Sequence, residues 1–167
     1  MVYNIRGRKT MDRHFTVSVY VVHNNRVLLH KHKKAQILLP VGGHIELNEL
    51  PEEAAIREAF EEAGIEIELY DLDSLKDKDV NISGERILIN PIHMVLGEVE
   101  KEHEHVDFVF YAQSVMEELK PGLDESNNLA WYSEQELEDI KEELLKDVYL
   151  MAKEAIDVYR KNSFKFG

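Results

Sequence analysis

Gly42-Gly-His-Ile-Glu-Leu-Asn-Glu-Leu-Pro-Glu-Glu-Ala-Ala-Ile-Arg-Glu-Ala-Phe-Glu-Glu-Ala-Gly-Ile65 is the stretch on which the reading of this 167-residue chain turns. Pro51 suits the first turn of a helix, where its missing N–H costs nothing, and Gly64 suits the stop, so a helix is predicted over 51–63. At roughly 100° per residue, Ala55, Ile56, Ala59, Phe60 and Ala63 fall on one face suited to burial. Glu58, Glu61 and Glu62 share an arc of about 100° on the opposite face, with Ala54 near its middle. Like charges at this spacing destabilise a helix by about a few tenths of a kcal/mol per pair, and Arg57 is the only basic residue here. A solvated acidic face is the plain explanation. Against it stand the Gly42-Gly43 turn, whose bare backbone can approach an ion or phosphate, and the room left by Ala54. Carboxylates and a carbonyl are the hard oxygen ligands that magnesium or manganese prefers, so the segment points to a divalent-metal and phosphate site.

The flanking segments alternate in character. Residues 14–23 are rich in β-branched and aromatic types, Asn24-Asn25 interrupts them, and Arg26 to His30 resumes, which predicts a β-hairpin. A third apolar run, Ile37 to Leu39, ends at Pro40-Val-Gly-Gly. Downstream, 65–72 reads as a short strand and 73–85 as a polar loop. That loop fails as a calcium site, because from Asp77 the sixth position is Ile82 and the twelfth is Leu88. Residues 86–98 and 106–115 read as a second hairpin, joined through the charged 98–105. Ser133 and Glu136 have capping-box spacing and open a final helix. Its single stripe is Leu137, Ile140, Leu144, Leu145, Val148, Ala152, Ala155, Ile156 and Tyr159, which core packing explains better than a partner surface. The order implies one α/β domain over 1–167, with 1–13 as an N-terminal extension and 134–160 as the C-terminal helix.

Asp and Glu number 33 against 20 Lys and Arg, a formal charge of -13 that disfavours nucleic acid as a bulk partner and an anionic membrane surface. No apolar run approaches the roughly 18–20 residues of a membrane span, and no apolar segment follows the basic start, so a cytoplasmic location is expected. The absence of cysteine excludes disulfides and thiolate metal sites.

Gly43, five residues, Glu49, seven residues, Arg57-Glu58, Ala59, Phe60, Glu61-Glu62, Ala63, Gly64 and Ile65 resembles the Nudix box at every fixed position. That box is the signature of hydrolases acting on nucleoside diphosphates linked to another moiety. The resemblance implies an α/β/α sandwich around a central mixed β-sheet, spanning about 14–160. It implies Mg2+ or Mn2+ as cofactor and a small nucleotide-type diphosphate as substrate, for a monomer or homodimer. It also implies that Glu58, Glu61 and Glu62 are catalytic and ligate metal, one of them acting as base, with a backbone carbonyl from Gly42 or Gly43. Glu49 and Arg57 would tie the loop to the helix. Val41 stands before the glycines where many members have Pro, and Leu38 where Trp is frequent; neither change removes a ligand.

In this family the base can instead come from outside the box, and Glu98, Glu100, Glu102 and Glu104 are the candidates. His103, His105 and Asp107 alternate and would share one side of a strand, as metal or substrate contacts or as a solvated strand end. His44 is a candidate phosphate contact. Substrate contacts are therefore sought at His44, Glu102, Glu104, His103 and His105. His14, His23, His30, His32 and His93 read as structural or surface residues, and Trp131 and Tyr132 as core rather than base-stacking groups. Hydrolysis of non-nucleotide diphosphates or capped RNA, a non-catalytic nucleotide-binding module that would lose the carboxylates, and a scaffold using the final helix are the competing functions.

Overall fold

The computed structural model describes residues 12–33, 36–72, 86–122 and 128–162. The expected loop at 73–85 and residues 1–11 lie outside them. Strand β1 (Asp12–His23) turns into β2 (Arg26–Lys31) through Asn24 and Asn25, both with positive φ (49° and 60°). Two such residues make the tight turn whose twist matches a hairpin, and asparagine tolerates it. β3 (Leu38–Leu39) pairs with β2, and β4 (Val41–His44) runs antiparallel to the middle of β1. Helix α1 (Pro51–Ala63) leads to β5 (Glu68–Leu69). The second hairpin is β6 (His93–Glu100) with β7 (His103–Gln113), and β8 (Leu129–Ser133) pairs with β2. The eight strands form one sheet in the order β3-β2-β1-β7-β5, with β4 on β1, β6 on β7 and β8 on β2.

Parallel pairing of β1 with β7, from Asp12↔His103 to Val22↔Gln113, makes the sheet mixed. Both central strands are covered on both faces, as parallel strands require. Val17, Val19, Val21, Phe110 and Ala112 pack toward α1, while Tyr20, Val22, Val109 and Tyr111 pack toward α3 (Lys146–Asn162). The result is an α/β/α sandwich. No helix among the described residues is long and apolar enough to cross a membrane.

Two expectations change. The final helix is not continuous: α2 (Glu134–Asp139) ends at Ile140, a 3-10 turn (Lys141–Glu143) follows, and α3 starts afresh. The corner lets Leu137 and Leu144 enter the same core cluster as Val148, Ala152 and Ile156, whereas Leu145 is exposed. The buried face of α1 is also rotated. Ala54, Ala55, Ala59 and Ala63 are fully buried, but Ile56 is 46% and Phe60 61% exposed. Four alanines let the helix approach β4 closely, and that choice turns Glu58 and Glu62 toward the sheet.

Gly64 ends α1 with φ 67°, its N–H donating to the Phe60 carbonyl. A Cβ there would lie 2.2 Å from the Lys120 carbonyl oxygen. Gly64→Ala is therefore expected to cost about 2–4 kcal/mol, combining left-handed strain with backbone overpacking. Gly97, with nothing within 4 Å of an added Cβ, is the control; Gly97→Ala should change stability by at most about 0.5 kcal/mol in denaturant unfolding.

The α2–α3 corner is tied by acids. Hydrogen bonds from Lys141 and then the Tyr149 hydroxyl hold Glu138 down at about 2, Arg160 holds Glu134 below the ordinary range, and Ser133 does the same for Glu136. Folded values below unfolded ones mean that this stability is present above the ordinary glutamate value of 4.5 and is lost as pH falls toward 2. Tm should decline through that window, and more shallowly in Glu138→Gln.

Candidate active site

The loop before α1 is folded on itself. Glu49 Oε2 accepts from the Glu46 N–H at 2.9 Å, and Glu53 Oε2 from the Leu50 N–H at 3.0 Å. Glu52 is buried, pairing with Arg86 at 2.8 Å and accepting from the Ile89 N–H at 2.6 Å.

Arg57 organises the acidic face. Its Nε and Nη2 donate to the two oxygens of Glu49 at 2.7 and 2.9 Å, a two-pronged contact suited to the planar guanidinium. Nη1 donates to Glu58 Oε1 at 2.7 Å and Glu61 Oε2 at 3.0 Å, and Nη2 also reaches the His44 carbonyl at 3.0 Å. Arg57 holds the Glu49 carboxyl below its usual range, and the guanidinium is pushed further up in return. Burial pushes Glu58 up, with Arg57 pulling the other way.

The glycine strand lies against these acids. A Cβ on Gly43 would sit 2.4 Å from Glu58 Oε1, and the Gly42 N–H donates to Glu62 Oε2 at 2.9 Å. A Cβ on Gly42 would lie 2.1 Å from the Val17 carbonyl oxygen. Backbone bars a side chain at Gly42, and one at Gly43 would displace the Glu58 carboxylate. His30, read as structural, stands with Nε2 4.0 Å from Glu62 Oε2. Burial, then neighbouring His32, pushes its imidazole down from its usual value. Pairing across strands brought His30 here, a relation its local sequence did not signal.

Three carboxylates, Glu49, Glu58 and Glu61, thus face one guanidinium, and a fourth, Glu62, accepts from the bare backbone of Gly42. The surplus charge, the all-oxygen donors and the cradle over Glu58 fit a divalent cation. Among the described residues, the set of three ligating groups whose atoms lie within 4.8 Å of one another is a different one, His14, His103 and His105. Here Glu58 and Glu61 rest on Arg57, and Glu62 on the Gly42 N–H.

A NUDIX domain model matches residues 12–152. The chain belongs to the NUDIX family. A crystal structure of a NUDIX-family hydrolase from Clostridium perfringens is 50% identical, with a TM-score of 0.81, covering 89% of this chain and 99% of that one. A curated relative from Lactococcus lactis subsp. cremoris, named as a probable DHNTP pyrophosphohydrolase, is 30% identical over 108 residues. That match takes in 64% of this chain and 57% of the relative, so the chain spans little more than half of the relative's length. The MutT protein from Methanosarcina mazei Go1, 18% identical with a TM-score of 0.65 over 92% of this chain and 99% of that one, shares the fold.

Within this NUDIX domain Glu49, Glu58 and Glu61 converge on Arg57 with Glu62 beside Gly42, and the side chains of His44, His103 and His105 do not join them. His44 pairs with Thr16, and the ladder alternation turns its side chain to the α3 face, beside His14 and His105. The side chains of His44, expected as a phosphate contact, and of His103 and His105, expected as metal or substrate contacts, are on the face opposite Glu58. For His105, burial and then the surrounding imidazoles push the ring below its usual value. Glu104 is on the α1 face but paired with Arg13 at 2.6 Å, opposite Glu98 in the β6–β7 ladder. Glu102 occupies the hairpin turn with φ 68°, and Glu100 pairs with His103 after a bulge. Phe15, Met94 and Leu96, exposed on the α1 face near Phe108, form an apolar strip that strand alternation alone did not single out.

Proposed function

We propose that this chain is a Nudix pyrophosphohydrolase that cleaves a phosphoanhydride in a nucleoside diphosphate linked to another moiety, using Mg2+ or Mn2+. The observation that carries the reading is that Arg57 holds Glu58 and Glu61 while the side-chain-free Gly42-Gly43 strand lies against Glu58 and Glu62. A divalent cation, when bound, neutralises the diphosphate and lowers the pKa of water. Glu58, Glu61 and Glu62 would hold it, with a carbonyl from Gly42 or Gly43. Glu49 and Arg57 orient the acidic face by fixing the loop to the helix. One of the three glutamates accepts the proton as water oxygen bonds to phosphorus and the bridging P–O bond breaks, leaving two phosphate products.

The strip of Phe15, Met94 and Leu96 favours a small substrate with a flat or apolar group. It is on the same face as Glu58, and Phe15 is two residues from Val17, the partner of Gly43. A screen with Mg2+ and Mn2+ tests the proposal: nucleoside triphosphates, nucleotide sugars, ADP-ribose, dinucleotides, capped RNA and DHNTP are incubated and products identified. Metal-dependent release of two phosphate-bearing products from a small diphosphate supports it. Inactivity on every small diphosphate overturns it, and selective turnover of capped RNA moves the assignment there.

A further inference from the structure

His14, His44, His103 and His105 come from three strands and meet on the α3 face of the sheet, behind the strand that carries Gly42 and Gly43. The register brings them together. His14 pairs with His105 and Asp12 with His103 in the parallel ladder, and Thr16 pairs with His44 in the antiparallel one. His14 Nδ1 is 3.2 Å from His44 Nε2, and ring centroids are 4.7 Å apart for His14–His103, 4.9 Å for His103–His105 and 5.0 Å for His44–His105. One ligand atom each from His14, His103 and His105 falls within 4.8 Å of the others. The Nε2 atoms of His103 and His105 are buried without a hydrogen-bond partner.

Buried ring nitrogens normally find partners, and these two share their pocket with further imidazoles rather than with acceptors. The nearby acids flank the cluster: Asp12 Oδ1 is 3.4 Å from His14 Nε2, and Asp107 accepts from Thr16 Oγ1 at 2.8 Å. We propose that His14, His103 and His105, with His44 as a fourth imidazole, bind a transition-metal ion of the Zn2+ class at a site separate from the carboxylates of α1. Imidazole nitrogens suit zinc, nickel and copper, whereas magnesium takes oxygen. Four-coordinate zinc at about 2.0–2.1 Å from each nitrogen places neighbouring donors roughly 3.3 Å apart. The three nitrogens, within 4.8 Å of one another, would close to that spacing on binding the ion. Asp12 stands where a carboxylate orients a ligating histidine through its other nitrogen. The ion clamps the starts of β1 and β7 to the end of β4, a structural role that does not depend on the hydrolase reading.

The test is a ZnCl2 titration of the full chain in excess Mg2+, read by competition with a chromophoric chelator. One equivalent of Zn2+ is expected, retained by Glu61→Gln and lost in the double variant His103→Gln, His105→Gln. At a hundredfold excess of Zn2+ over Kd, Tm should rise by roughly 5–10 °C in the parent chain. If the double variant fails to fold by circular dichroism, the imidazole 15N resonances of the parent decide. Shifts confined to His14, His44, His103 and His105 support the site, and unmoved resonances there overturn it. Zn2+ held equally by a folded double variant, or no stoichiometric binding in excess Mg2+, also overturns it.

Discussion

Glu61→Gln and Glu62→Gln are each expected to lower kcat by about 10²–10⁴-fold in a chain that stays folded, the scale of losing a metal-bound carboxylate or general base. Glutamine keeps the shape and removes the charge. The Glu61 side chain is 55% exposed and meets Arg57 at 3.0 Å, so its replacement leaves no buried group stranded. Glu62 accepts from the Gly42 N–H at 2.9 Å, and the glutamine carbonyl can accept the same bond. Denaturant midpoints should therefore move little while turnover collapses at every Mg2+ concentration. A folded variant that hydrolyses diphosphates at the parent rate would remove that glutamate from the mechanism.

Gly43→Ala is a companion to these changes, since its Cβ would enter the space of the Glu58 carboxylate. What could be read without coordinates was local. The box placed Gly43, Glu49, Arg57, Glu58, Glu61 and Glu62 on one turn and one helix, and that segment's own spacing holds them together. The rotation of α1 was not legible, because helix periodicity ranks faces by hydrophobicity, and close packing on β4 selected four alanines over Ile56 and Phe60. Nor was the break after Ile140, since a stripe with helical spacing does not reveal that a corner serves Leu137 and Leu144 better. The histidine cluster depended on strand register: alternation linked His103 to His105, but only the β1–β7 and β1–β4 pairings add His14 and His44.

Arg57→Met should be damaging in a way that divalent metal partly repairs. The guanidinium makes five contacts, two to Glu49, one each to Glu58 and Glu61, and one to the His44 carbonyl. Methionine fills similar space but leaves Glu49, Glu58 and Glu61 without their guanidinium, and the side chains of the first two are only 13–14% exposed. Breaking a partly buried ion pair this way is expected to cost about 1–3 kcal/mol in EDTA. Mg2+ should narrow the gap in Tm from the parent if, as proposed, Glu58, Glu61 and Glu62 hold the cation, which would supply the missing positive charge. Turnover should still fall by about 10–100-fold, as supporting contacts of metal ligands typically require. Arg57→Lys restores the charge without the planar fork, so it should recover stability more fully than kcat. If Arg57→Met matched the parent's Tm in EDTA, the guanidinium would not be what holds this acidic face together.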